Sequence, residues 1–445
     1  PRLLRTKCNL VRGYVPRSSA ILCDIIHMNY ADIVINRPID RPFTYLIPEE
    51  LIDTVKIGSC VEVSFGNKKV TGYVVNISQE CAIKNIKPIL RLLDKTPALD
   101  SQMLKLVKWI SEYYYSSWGE AISAAVPSVM KKSLKETNHR RGEKTQEPEI
   151  EFVDGTDQHL LPTEEQKQAL ESIKKCVTAG DHRVFLLHGV TGSGKTEVYL
   201  QSIAHALELN KSSIVLVPEI SLTPQTVARF RARFGDKIAV LHSRLLGSKR
   251  VSEWERIVSG EAMVVVGARS AIFAPVKNLA LVVVDEEHET SYKQDNVPRY
   301  NARDAAIKRA ELSNAAVILG SATPSLESFY AAMSGHYTLI ELPERIDARL
   351  LPEVEIVDMK DEMSRVKKIS IFSQVLKNWI DKDVSEGKQV ILFLNRRGFS
   401  TFISCRKCGY VLTCKRCSVS LTYHFHTKKL ACHHCNYKMD PPDVC

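Results

Sequence analysis

The chain has 445 residues, too many for a single hydrophobic core and enough for about three domains. With 44% apolar and 25% charged residues it is not a disordered or fibrous sequence. No uncharged apolar run reaches about 18 residues and no secretory signal opens the chain, so neither a membrane span nor export is expected. A net charge of +10 suits a polyanionic partner. Seven of the 12 cysteines fall between Cys405 and Cys445. Clustered C-x-x-C pairs argue for metal and a reducing cytosol, not disulfides.

In chain order, residues 1–27 read as an extension of uncertain origin, and the first ordered pattern starts at Met28. Strand-like runs at 31–35, 60–65 and 70–75, with a hairpin turn at 66–69, predict a β-rich module over 28–97. Met103, Leu106, Val107 and Ile110 recur at helical spacing, so 98–130 reads as helical. Residues 133–158 are polar, with Gly142, Pro148 and Gly155, and predict a linker or mobile loop. From 160 strands alternate with helices. Strands expected at 183–187, 213–217, 237–241, 263–266, 280–284 and 315–319 make a doubly wound, largely parallel α/β sheet. A second α/β unit is expected from about 346, with strands at 354–357 and 389–394, before the cysteine block interrupts it at 405.

Two motifs carry chemistry. Gly189-Val190-Thr191-Gly192-Ser193-Gly194-Lys195-Thr196 follows an apolar strand and opens a helix, which is the context of a phosphate-binding loop. Backbone N–H groups and the helix dipole would hold ATP phosphates, Lys195 would reach the β/γ-phosphates, and the Thr196 hydroxyl would ligate Mg²⁺. The apolar strand before Asp285-Glu286-Glu287-His288 delivers acids to a carboxyl end. There Asp285 would hold Mg²⁺ and Glu286 would polarise the attacking water. His288 would link nucleotide state to the rest of the site. Gln166 has two readings: an adenine contact that selects ATP, or the partner of Thr163 in a helix capping box.

Candidate DNA contacts are His242, Ser243, Arg269 and Ser270, which follow strands at the sheet edge. Arg229 to Phe234 interleaves basic and aromatic residues, and fits either phosphate contact or a helix that buries both phenylalanines. The pairs Cys405/Cys408, Cys414/Cys417 and Cys432/Cys435, then Cys445, have zinc-ligand spacing. A nested site of Cys414, Cys417, Cys432 and Cys435 is expected, with Cys405, Cys408 and Cys445 in a second; sequential pairing of the first two pairs is the alternative. Two structural Zn²⁺ ions would serve the complete protein, and the half pair at Cys445 marks the chain as a fragment.

The phosphate loop, Asp285-Glu286-Glu287-His288 and Gly320-Ser321-Ala322-Thr323-Pro324 resemble a superfamily 2 helicase. The runs 217–225 (VPEISLTPQ), 267–275 (GARSAIFAP) and 393–398 (FLNRRG), with the cysteine block, resemble the PriA replication-restart helicase family. That resemblance implies a multidomain fold. It would comprise an N-terminal β-rich 3′-DNA-end-binding module (28–97), a winged-helix-like region and linker (98–158), and a RecA-like ATP-binding lobe (159–345). The start of a second lobe (346–404) and a zinc-binding insertion (405–445) would follow. It further implies a cytoplasmic, nucleoid-associated bacterial 3′-to-5′ DNA helicase acting on stalled or repaired forks with a leading-strand 3′ end. Primosome proteins, single-strand-binding protein and the replicative helicase loader would be its partners. By the same resemblance Tyr292, Lys293 and Tyr300 sit in an aromatic-rich DNA loop, with tyrosines packed on the lobe surface as the alternative; Arg396 and Arg397 contact DNA, and Ser321 and Thr323 couple DNA to ATP. Arg41 to Tyr45 matches the turn that captures a 3′ end, with Thr44 where some members carry an acid. The arginine finger is expected outside this chain, so this polypeptide alone should hydrolyse and unwind poorly. Other readings are another superfamily 2 translocase, or a fork-binding scaffold with dispensable ATPase.

Overall fold

The computed structural model describes residues 29–81, 85–94, 99–126, 161–219, 221–242, 245, 247–346, 352–366 and 371–393, and, around the cysteines, 408, 410–416, 420–424, 427–432, 435, 437–442 and 444. The expectations for 1–27, the linker at 133–158, Ser243, Arg396, Arg397, Cys405, Cys417 and Cys445 lie outside them. The chain divides into two compact units, 1–349 and 350–445.

The first unit begins with an antiparallel sheet of β1 (Asn29–Ile35), β2 (Phe43–Ile47), β3 (Cys60–Phe65), β4 (Lys68–Ser78) and β5 (Ile89–Leu92), in the order β2-β1-β4-β3-β5. Its alternating apolar residues, among them Ala31, Ile33, Val61, Val63 and Val74, are completely buried. The run at 41–45, expected as a turn, enters β2 at Phe43. Two helices follow: α1 (Ser101–Tyr113), capped by Asp100, and α2 (Trp118–Ala125), opened by a Ser117/Glu120 capping box.

Next comes a seven-stranded sheet. The six expected strands are present as β6 (Arg183–Gly189), β7 (Ser212–Leu216), β8 (Ile238–Leu241), β9 (Val264–Gly267), β10 (Leu279–Asp285) and β11 (Ala316–Ser321). A seventh, β12 (Thr338–Leu342), pairs beside β6; it is mostly half-buried, which hides it from an apolar-run search. All neighbours are parallel in the order β12-β6-β11-β10-β7-β9-β8. Both faces are covered, as parallel strands require. Leu281 and Val283 point into one core with α3 (Glu164–Ala179), α4 (Lys195–Glu208) and α5 (Pro224–Phe234). Val282 and Val284 point into the other, with α6 (Gly247–Ser259), α7 (Ala302–Ser313) and also α1 and α2. The two helices that follow the N-terminal sheet thus share a core with the α/β sheet. Helix α8 (Leu326–Met333) precedes β12. On α5, Phe230 and Phe234 are buried, so the burial reading of that segment holds.

The second unit contains α9 (Met359–Val366), α10 (Gln374–Ser385) and a small antiparallel sheet of β13 (Thr422–His424), β14 (Lys429–Ala431) and β15 (Lys438–Met439). The strands expected at 354–357 and 389–394 do not form among the described residues. Val354, Ile356, Ile391 and Phe393 are exposed there. A strand exists only by its ladder, and among the described residues these runs pair with no neighbour.

Candidate nucleotide and nucleic-acid site

The phosphate loop closes between β6 and α4. Gly194 caps α4 with φ +82°, a left-handed value, and a Cβ there would collide with the Gln166 amide. Gln166 is buried and its amide is committed at both ends. Its Oε1 accepts from Thr163 N at 3.0 Å, completing the capping box, and its Nε2 donates to the Ser193 carbonyl at 2.8 Å. Gln166 therefore anchors the loop to α3, and its adenine role has no support from this geometry. The Ser193 hydroxyl is buried in the loop with no hydrogen-bond partner, a polar atom that suits a phosphate oxygen. Lys195 Nζ donates to the Gly189 carbonyl at 2.7 Å. Burial pushes its ammonium below the ordinary range, against the pull of Glu286 and Asp285.

Asp285 ends β10 in the middle of the sheet, opposite the loop. Burial first, and then the Glu286 charge, push its carboxyl up to about 6. A carboxylate that is costly to leave charged and unpaired fits a divalent cation. Two tyrosines hold Asp285 in place. Tyr199, fully buried on α4, donates to Oδ1 at 3.0 Å. The Tyr292 hydroxyl lies 2.6 Å from the Asp285 carbonyl and 3.0 Å from that of Leu216. Tyr199 reaches Asp285 only because residue 320 is glycine: a Cβ there would strike its hydroxyl. Gly320→Ala should lower stability in urea unfolding by about 1–3 kcal/mol through overpacking. Tyr199→Phe should partly rescue it, and additive effects of the two changes would refute that contact.

Glu286 takes φ +45°, rare for a residue with a side chain and a mark of stored strain. His288 Nδ1 is 2.8 Å from Ser321 Oγ and 3.7 Å from Glu286 Oε2, and Ser321 Oγ accepts from Thr323 N at 2.9 Å. The expected coupling residues Ser321 and Thr323 thus adjoin the acids. Glu287, which the sequence reading left without a role, is the most enclosed of the group. Its carboxylate accepts from Ser325 N (2.6 Å), Ser325 Oγ (3.1 Å), Ser328 Oγ (2.8 Å) and Arg303 Nη1 (3.1 Å).

Of the expected DNA contacts, Arg269 Nη1 donates to the carbonyls of Ser291 (3.3 Å) and Lys293 (2.7 Å), and Ser270 is exposed. Both line a cavity of about 140 Å³ with Pro218, Glu219 and Gln294. His242 follows β8, and its carbonyl accepts from Arg250 at 2.8 Å. Lys293 is exposed, with Nζ 4.7 Å from the centre of the Tyr114 ring. Tyr292 and Tyr300 are each 1% exposed, so neither offers a ring face to a base. Base stacking does not fit them in this packing; Tyr292 braces Asp285, and Tyr300 packs edge-on against Phe273. In the N-terminal sheet Thr44 donates to Asp32 Oδ1 at 2.8 Å, which puts a carboxylate beside position 44 from the neighbouring strand.

In the second unit the thiols of Cys414, Cys432 and Cys435 lie within 4.8 Å of one another, with Cys414 and Cys435 at 3.6 Å. Tetrahedral zinc with bonds of about 2.3 Å sets its sulfurs about 3.8 Å apart, so the three fit one Zn²⁺. They belong to the nested set expected from spacing.

Three family models match: the PriA 3′ DNA-binding domain over 32–127, the DEAD/DEAH box helicase over 163–331, and the PriA DNA helicase Cys-rich region over 414–439. The replication restart protein PriA of Bacillus subtilis is 34% identical over 94% of this chain and 68% of its own length. That of Treponema pallidum is 39% identical over 94% of this chain and 61% of its own. A solved structure of RecG bound to a three-way DNA junction aligns at 22% identity and TM-score 0.37, over 51% of this chain and 28% of that one. The chain spans about two thirds of the length of the curated relatives it matches. With the sheet module, the phosphate loop, the acid-ended strand and the cysteine cluster in the same order, the chain belongs to the PriA replication-restart family.

Proposed function

We propose that the full-length protein is an ATP-dependent 3′-to-5′ DNA helicase that recognises stalled or repaired replication forks and initiates primosome assembly. The observation that carries this reading is the shared core. Helices α1 and α2, within the region matching a 3′ DNA-binding domain, pack on the same sheet that sets Lys195 near Asp285 and Glu286. Lys195, Thr196 and the loop amides would hold ATP, and Thr196 and Asp285 would hold Mg²⁺. Bound MgATP supplies the cleavable phosphoanhydride; Glu286 would orient water toward it. Asp32, Thr44 and Phe43 are the candidates for gripping a leading-strand 3′ end, and Arg269, Ser270 and Lys293 for the strand beyond. Single-strand-binding protein and a replicative helicase loader are the proposed partners. Among the described residues no helix is long and apolar enough to cross a membrane.

The test is ATP hydrolysis on a fork with a free leading-strand 3′ end. Lys195→Ala should lower fork-stimulated kcat by at least about 100-fold, the scale of losing one charge-stabilising donor, with fork binding kept. Tight fork binding without Lys195-dependent hydrolysis would instead mark a scaffold.

A further inference from the structure

A chain of hydrogen bonds leads from the DNA-end module to the acid segment. Tyr114, at the end of α1, donates its hydroxyl to Asp304 Oδ2 at 2.9 Å. Asp304 Oδ1 accepts from Arg303 Nε at 3.1 Å, and Arg303 Nη1 donates to Glu287 at 3.1 Å. Glu287 directly follows Glu286, the residue held at φ +45°. The same tyrosine ring receives Lys293, whose carbonyl is bound by Arg269 from the candidate DNA cavity. Tyr114 therefore touches the start of α7 and the loop after the acids at once, and it is the module's own residue that does so. Asp304 is partly exposed and Arg303 only 15% exposed, so the link lies at the rim of the module contact, where small shifts of α1 would move it.

We propose that Tyr114 is a positioning residue. Through Asp304, Arg303 and Glu287 it sets the strained turn at Glu286, so that occupancy of the DNA-end module reaches the water-orienting acid. This rests on the helicase reading above. Two partners constrain the turn from inside, Tyr199 and Tyr292 on Asp285; Glu287, bonded to Arg303, constrains it from the other side. A strained residue held between two clamps has a relaxed conformation to move to, so a bias on one clamp acts directly on it.

The experiment measures kcat and KM for ATP in the full-length protein, with and without DNA bearing a free 3′ end, for Tyr114→Phe and Asp304→Asn. Each should cut DNA-stimulated kcat about 5- to 10-fold, the size of an ordinary coupling between sites. DNA-free kcat, KM for ATP and DNA affinity should each stay within about 2-fold. The double variant should be no worse than either single one, because both break one chain. Unchanged stimulation in Tyr114→Phe, equal losses with and without DNA, or additive losses would each overturn the proposal. Absence of any DNA-stimulated hydrolysis in the unaltered protein would strike the helicase reading itself.

Discussion

Cys432→Ser should unfold the cysteine module while the seven-stranded sheet melts as before. The module has three strands of two or three residues. Among the described residues its buried core is Cys414, Leu421, Leu430 and Cys432, so half of that core is candidate metal ligand. Such a core cannot offset the chain entropy of folding; bound zinc can, at about 10–16 kcal/mol in finger peptides. Serine keeps the size of the side chain but replaces the thiolate with a poor ligand for zinc. Metal analysis should show one ion fewer per protein, and limited proteolysis should cut within 412–439. Thiols ligate as thiolates, so protons compete with the metal and zinc should be released as pH falls. A module that stays protease-resistant and keeps its backbone spectrum without metal would refute this account.

Glu287→Ala should be the most damaging single change in the helicase lobe outside its apolar core. The carboxylate is completely enclosed, and the change takes the charged acceptor from four donors: Ser325 N, Ser325 Oγ, Ser328 Oγ and Arg303 Nη1. Breaking a buried ion pair by removing one partner costs about 3–5 kcal/mol, far more than the pair contributes against an apolar replacement. Urea unfolding should show that loss. Glu287→Gln should fall between, since its amide N–H groups face donors instead of acceptors. The Glu287→Ala/Arg303→Met double variant should be more stable than Glu287→Ala alone, because no guanidinium is left facing the emptied site with only Asp304 as a carboxylate partner. A double variant as unstable as the sum of its parts would show that the pair is not the source. The consequence for hydrolysis follows from the backbone: with Glu287 released, Glu286 can leave its left-handed conformation, and kcat should fall even where ATP still binds.

Most of the lobe is legible in the sequence. Six strands are long apolar runs, because parallel strands buried on both faces must be, and the phosphate loop and acids mark the ends of two of them. Zinc ligation was legible because the liganding atoms come in C-x-x-C pairs. Pattern misleads where it has no partner to act on: the runs at 354–357 and 389–394 have strand chemistry and no ladder among the described residues. For Tyr292 and Tyr300 the sequence leaves base stacking and packing on the lobe both open, since an aromatic in a polar loop looks the same whether its ring faces solvent or core, and their burial favours packing. Gln166 was read with two roles open, and contact with Ser193 favours the structural one.

From the sequence alone came the motifs whose parts are neighbours in the chain: the loop 189–196, the acids 285–288 and the cysteine pairs. Such motifs keep their spacing whatever the rest of the fold does, and their chemistry depends on that spacing. Tertiary structure decided which side chains serve them from afar. Tyr199 reaches Asp285 across 86 positions, under a glycine at 320; Ser328 reaches Glu287 across 41; and Tyr114 reaches Asp304 across 190. None of these carries a local signature, because a tyrosine or serine in a helix obeys the same periodicity whether it fills a core or holds a buried acid. Only the packing of one element on another brings the hydroxyl to the carboxylate.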